Sequence, residues 1–127
     1  MPARTNNHNH GYVLVVDDDE DICEALEVIL QTRGYTCVIA RNGEVALDVM
    51  RADPLPEVVL LDMMMPIMSG EEFRLAQLAD ARIADVPVIV MTADATAEDR
   101  AMSLGVSKFL RKPLRIDELI SAMQATA

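Results

Sequence analysis

Apolar residues in this 127-residue chain come in two rhythms. Short apolar runs bounded by acidic or turn residues alternate with stretches in which apolar positions recur every three or four residues. The first rhythm reads as strands buried on both faces of a sheet, the second as helices with one apolar stripe. The strand-like runs are YVLVV at 12–16, YTCVIA at 35–40, VVLL at 58–61 running into Asp62, VPVIVM at 86–91 and SKFL at 107–110. The run at 35–40 is less uniformly apolar, which suits a strand nearer an edge. Pro87 is tolerable only at the start of its strand.

Between the strands the helical period returns. Ile22, Ala25, Leu26, Ile29 and Leu30 form one stripe, closed by Gly34. Acids before that stripe suit a helix start. Arg41-Asn42-Gly43 turns the chain into a second helix that carries Val45, Ala46, Val49 and Met50 inward, and the prolines at 54 and 56 end it. A third helix begins near Ser69 or Gly70 and uses Phe73, Leu75, Ala76 and Leu78 with Ala79. A fourth, about 97–104, has few large apolar residues and should pack weakly before Gly105 closes it. Ile116, Leu119, Ile120 and Met123 give a fifth its buried face. Strands alternating with helices over short connections imply an α/β fold, a parallel sheet covered on both faces. The expected strand order is 2-1-3-4-5, the flavodoxin-like arrangement of a five-stranded sheet with five helices. Residues 1–11 lack periodicity and read as a loose arm, leaving 12–127 as one domain. His8 and His10 in the arm are expected to do nothing.

Composition narrows the function. With 21 acidic and 11 basic residues the net charge is −10, which argues against nucleic acid or an anionic membrane as a direct partner. No apolar stretch is long enough to span a bilayer and the N-terminus lacks the apolar core of a signal peptide, so the chain reads as cytoplasmic. Cys23 and Cys37 then read as reduced thiols packed in a helix and a strand.

In open α/β sheets ligands bind beyond the carboxyl ends of the strands. There the first strand presents Asp17 and Asp18, the third Asp62, the fourth Thr92, and the fifth leads to Lys112. Three carboxylates together repel and need a cation, and an all-oxygen set suits Mg²⁺. Lys112 adds a point positive charge and Thr92 a hydroxyl donor. The set suits a phosphoryl group, with a carboxylate to receive it. Taken singly, each residue has a plainer reading: Asp62 a solvated loop acid, Thr92 a strand end, Lys112 a surface lysine. Their placement on adjacent strand ends is what promotes them. Asp19, Glu20 and Asp21 read as helix-start charges, and Met63, Met64 and Met65 as packing.

In this arrangement the sequence resembles the receiver domain of two-component response regulators. The matching pieces are Val15-Val16-Asp17-Asp18, Leu61-Asp62 with Met65-Pro66 and Gly70, Met91-Thr92-Ala93 and Lys112-Pro113, over roughly residues 12 to 125. The resemblance implies that Asp62 is the phosphoacceptor. It implies that Asp18, Asp62 and the carbonyl of Met64 ligate Mg²⁺, with Asp17 holding a metal-bound water. Lys112 would contact the phosphoryl group or Asp62, and Thr92 would hydrogen-bond the phosphoryl oxygen and draw its loop inward. Phe109 takes the place of the switch aromatic, or is simply core. It stands where the family commonly has tyrosine, as Leu114 stands for a common phenylalanine. Met64 and Asp94 occupy positions that tune hydrolysis of the adduct. The Lys112–Pro113 bond is implied to be cis. The implied donor is a histidine kinase or histidine phosphotransferase, or a small acyl phosphate. The output is a downstream protein reached through helix 4, strand 5 and helix 5. The chain reads as a stand-alone switch rather than an enzyme, since no output domain fits after helix 5.

Three rival readings remain. An Mg²⁺-dependent phosphohydrolase with Asp62 as nucleophile would want a second acid two residues on, where Met64 stands. A nucleotide or flavin binder would want a glycine-rich phosphate loop after Val16, which is absent. A receiver that binds partners without phosphorylation would not need Asp18, Asp62, Thr92 and Lys112 together.

Overall fold

A computed structural model describes residues 12–52 and 54–126. The arm at 1–11, with His8 and His10, lies outside the described residues, as do Asp53 and Ala127. The elements are β1 (Val13–Val16), α1 (Glu20–Thr32), β2 (Cys37–Ala40), α2 (Gly43–Arg51), β3 (Val58–Asp62), α3 (Gly70–Leu78), β4 (Val88–Thr92), a 3₁₀ turn at Ala95–Ala97, α4 (Glu98–Ser103), β5 (Lys108–Arg111) and α5 (Ile116–Thr126). All strand pairs are parallel and the order is β2-β1-β3-β4-β5, as the alternation implies.

Because side chains alternate across a strand, the unbroken apolar runs feed two cores. Leu14, Val16, Val59, Leu61, Val88 and Val90 face α2, α3 and α4, where Ala46, Met50, Phe73 and Ala101 meet them. Val13, Val15, Val58, Leu60, Ile89 and Met91 face α1 and α5, against Leu26, Leu30, Leu119 and Met123. Each such Val or Leu contributes about 1.5–3 kcal/mol by leaving water. The central strands β1, β3 and β4 are therefore the rigid floor from which Asp17, Asp62 and Thr92 project. Among the described residues no helix is long and apolar enough to cross a membrane.

The helix faces differ in part from the sequence expectation. Ala25 is exposed and Cys23 takes its place in the buried stripe of α1. Val45 is exposed while Leu47 is buried. The Asn42 side chain accepts the Val45 N–H at 3.0 Å, and that cap sets Val45 on the solvent side. Leu75 and Leu78 of α3 are exposed, whereas Arg74 and Gln77 are buried. Ile116 is exposed at the first turn of α5, and Ala122 is buried instead. The second strand begins at Cys37 rather than residue 35, and the fifth runs one residue further, to Arg111. The fourth helix is preceded by 3₁₀ backbone and buries only Ala97 and Ala101, the weak seat its composition implied. Cys23 and Cys37 are free thiols, the first buried and the second half-buried. Burial pushes them up to about 11 and about 12, so both stay protonated at neutral pH.

Candidate functional site

The site lies where β1, β3 and β4 end. Asp17 follows the last residue of β1 and is fully buried; Asp62 closes β3 at 5 % exposure; Asp18 is exposed. Oxygens of Asp17, Asp18 and Asp62 lie within 4.8 Å of one another. Lys112, just after β5, reaches in from the opposite side. Its Nζ is 2.8 Å from Asp17 Oδ2 and 3.6 Å from Asp62 Oδ2. The Lys112 N–H donates to the Thr92 carbonyl at 2.9 Å, which fastens the root of the lysine to the end of β4. The Lys112–Pro113 peptide is cis, as the resemblance implies.

The two inner carboxylates are held differently. Asp17 Oδ1 accepts the Asp19 N–H at 3.0 Å while Oδ2 takes Lys112, so both of its oxygens are engaged. Among the described residues Asp62 Oδ1 accepts only the Met64 N–H, at 3.3 Å. Burial first, and then the Asp17 charge, push the Asp62 carboxyl up to about 6, against the opposing pull of Lys112 and the Met64 N–H. For Lys112, burial works against the charge. The hydrogen bond to Asp17 and the Asp62 and Asp17 charges outweigh it and hold the ammonium above its usual value.

Two supports lie outside the residues the sequence singles out. Arg41, at the end of β2, donates from Nη2 to the Asp18 carbonyl at 3.0 Å, and its Nη1 lies 3.8 Å from Glu20 Oε2. The Cys23 thiol donates to the Asp17 carbonyl at 3.2 Å. Together they pin the acidic loop to β2 and α1. A signal for Arg41 existed: it too follows a strand at the carboxyl edge of the sheet.

The loop after Asp62 is tightly built. The Met68 N–H donates to the Pro66 carbonyl at 2.7 Å across Ile67, whose φ is 70°. This is a γ-turn with positive φ at its centre, a strained form for any residue and more so for a β-branched one. The turn lays Met68 on Gly43 and brings Ser69 to cap α3, with Ser69 and Glu72 each bonding the other's N–H. Ile67 and Met64 are exposed; Met63 is buried. Gly70 then packs on the end of β3. A Cβ there would overlap the Asp62 carbonyl oxygen and sit 2.7 Å from Met63 Cα. Gly70→Ala is therefore expected to destabilise the fold by about 1–3 kcal/mol, read as a lower urea midpoint with an unchanged m-value.

Thr92 is fully buried, and its Oγ1 accepts the Asp94 N–H at 3.1 Å. Asp94 in turn accepts from the Thr96 N–H at 2.9 Å and the Thr96 hydroxyl at 2.7 Å, which holds its carboxyl below the usual value. Phe109 is half-buried, opposite Val90 in the sheet, and packs on the core beneath α4. The structure thus brings Asp17, Asp18, Asp62 and Lys112 into one cluster and places Thr92 on the neighbouring strand end. Phe109 lies two residues behind, on β5.

The response regulator receiver domain family model matches residues 13–124. A response regulator MprA of Mycolicibacterium vanbaalenii is 37 % identical over 117 residues, 89 % of this chain and 48 % of that protein. The chain therefore spans about half the length of the curated relatives it matches. A receiver protein from Pseudomonas putida superposes with a TM-score of 0.84 at 30 % identity, covering 98 % of this chain and 99 % of that one. The chemotaxis protein CheY4 of Vibrio cholerae gives 0.84 at 26 % identity, covering 92 % and 98 %.

Proposed function

The chain belongs to the response regulator receiver domain family, and from that premise we propose that it is a phosphoryl-accepting switch with Asp62 as the acceptor. The observation that carries this reading is the asymmetry of the two buried carboxylates. Asp17 has one oxygen on Lys112 and the other on the Asp19 N–H, while Asp62 Oδ2 meets Lys112 at the longer distance of 3.6 Å. The donor set fits a hard divalent cation, since it offers carboxylate oxygens of clustered like charge and no nitrogen or sulfur. Asp18, Asp62 and the Met64 carbonyl would hold Mg²⁺, and Asp17, with both oxygens engaged, suits an outer role through water. Bound there, the ion would neutralise charge on the phosphoryl oxygens.

The rest is chemistry of the chain itself. An Asp62 oxygen attacks phosphorus and forms the P–O bond. With a phosphohistidine donor the P–N bond breaks, and the imidazole leaves with the electron pair and picks up a proton; with an acyl phosphate the P–O bond breaks and a carboxylate leaves. Lys112 stabilises charge on the transferred group from a fixed position. The adduct carries about −1.5 to −2 charge units. Thr92, on the next strand end, donates its hydroxyl to a phosphoryl oxygen and draws the Ala93–Asp94 segment with it. The donors are a histidine kinase or histidine phosphotransferase, or a small acyl phosphate. The output is contact with a downstream protein through α4, β5 and α5, with Phe109 settling behind Thr92. Residues 12–127 would act as one receiver unit in the cytoplasm.

The test is chemical trapping. Borohydride reduction of the phosphorylated chain should convert one aspartate to homoserine in the peptide that contains Asp62; a product at Asp17 or Asp18 would overturn the assignment. Thr92→Ala should still accept the phosphoryl group within a few-fold of wild type. It should lose about 1 kcal/mol of stability, because the Asp94 N–H loses its acceptor. It should also lose the change in α4 amide exchange that accompanies phosphorylation.

A further inference from the structure

The two ends of α4 are held very differently. Its N-terminal end has no side-chain cap and follows a 3₁₀ turn, whose start is tied to the end of β4 by the Thr92 Oγ1 bond to the Asp94 N–H. Along its length Ala101 is the buried contact, and an exposed ion pair of Arg100 with Glu71 at 3.9 Å adds little. The C-terminal end meets Arg74 of α3, a residue only 6 % exposed. Arg74 Nε donates to the Leu104 carbonyl at 3.0 Å and Nη2 to the Gly105 carbonyl at 3.0 Å. Its Nη1 donates to Gln77 Oε1 at 2.7 Å. Gln77, fully buried, passes the connection on, and its Nε2 donates to the carbonyls of Ile83 and Val86, each at 3.0 Å.

None of these partners is a carboxylate. The positive charge rests on carbonyl dipoles, two of them just past the end of a helix where the macrodipole is negative. Buried donors of this kind are costly to leave unmade, so this junction resists opening. It joins α3, the turn after α4 and the approach to β4 in one network. Gly105 turns the chain out of α4 at φ +73°, and the Ser107 N–H reaches the Val88 carbonyl at 2.8 Å to begin the β5 pairing.

We propose that Arg74, relayed by Gln77, is the fixed end of the switch. It acts as a positioning residue that clamps the Leu104–Gly105 turn, so that a phosphoryl group at Asp62 moves the 93–101 segment about that turn rather than displacing α4 as a whole. The inference rests on the reading of the chain as a phosphoryl switch. It assigns the mobile face to the first half of the α4 region and leaves β5 anchored.

The experiment is amide hydrogen exchange with beryllofluoride and Mg²⁺ against Mg²⁺ alone, with ¹⁹F NMR recording bound beryllofluoride in the same samples. In wild type, exchange at 93–101 should change at least threefold and exchange at 102–106 by less than 1.5-fold. Arg74→Met, which removes all of the donors, should spread the beryllofluoride-dependent change into 102–106. Arg74→Lys should give an intermediate spread. A merely structural role would raise exchange equally with and without beryllofluoride, and that result overturns the proposal. So does a uniform change across 93–106 in wild type, which decides the matter even where Arg74→Met does not fold. Absence of bound beryllofluoride in the ¹⁹F spectrum would instead overturn the switch reading on which the proposal stands.

Discussion

Lys112→Met is expected to slow phosphoryl acceptance from acetyl phosphate by about 10²–10³-fold, the usual loss when one preorganised charge is removed from a transferring group. The same substitution should cost about 3 kcal/mol of stability in the absence of divalent cations. Asp17 is fully buried and loses the one cationic contact it has among the described residues, 2.8 Å away, and breaking a buried pair leaves the remaining charge uncompensated. The methylene stem is kept by methionine, so lost packing is a minor part. Added Mg²⁺ should restore much of the stability, because it binds the folded cluster and not the unfolded chain, but should not restore the rate. Urea unfolding with and without Mg²⁺ separates the two effects. Equal destabilisation under both conditions would contradict the view that Lys112 and the cation neutralise the same charges.

Asp62→Asn is expected to do the reverse and stabilise the metal-free protein. The Asp62 carboxyl is pushed up to about 6, chiefly by burial and by Asp17, so its charged form is disfavoured in the folded state. For a carboxyl raised on folding, the penalty is absent below the unfolded value near 4, grows as pH rises through the interval, and is complete above about 6. At pH 7.5 without metal the gain should be about 1–2 kcal/mol, less than the whole shift implies because water at the mouth of the site screens the charges. By pH 4 the gain should vanish. Thermal melts of both proteins in chelator across that range check it. Mg²⁺ should close or invert the difference, since the wild type binds it better.

The parts of the fold legible in the sequence are those fixed by strand periodicity. Val58–Asp62 is a strand that ends on the proposed acceptor, because an unbroken apolar run followed at once by a carboxylate and a proline-containing loop has few other solutions. The same logic placed Asp17, Asp18, Thr92 and Lys112 at one edge of the sheet. The weak seat of α4 was legible too, from its lack of large apolar residues. Helix faces were less so. α3 has nine residues, and an apolar count favours Leu75 and Leu78 over Arg74 and Gln77. The structure buries the polar pair because carbonyls distant in sequence, at Leu104, Gly105, Ile83 and Val86, satisfy their donors. No local pattern encodes those acceptors. Arg41 and Cys23 were missed for a related reason, since what they hold is backbone of the acidic loop.

The most direct measurement of Asp62 as acceptor is intact mass after incubation with acetyl phosphate, for wild type and Asp62→Asn, with and without Mg²⁺. A gain of one phosphoryl group is expected in wild type with Mg²⁺ and in none of the other samples. A gain in Asp62→Asn, or one in wild type that is indifferent to Mg²⁺, would contradict it.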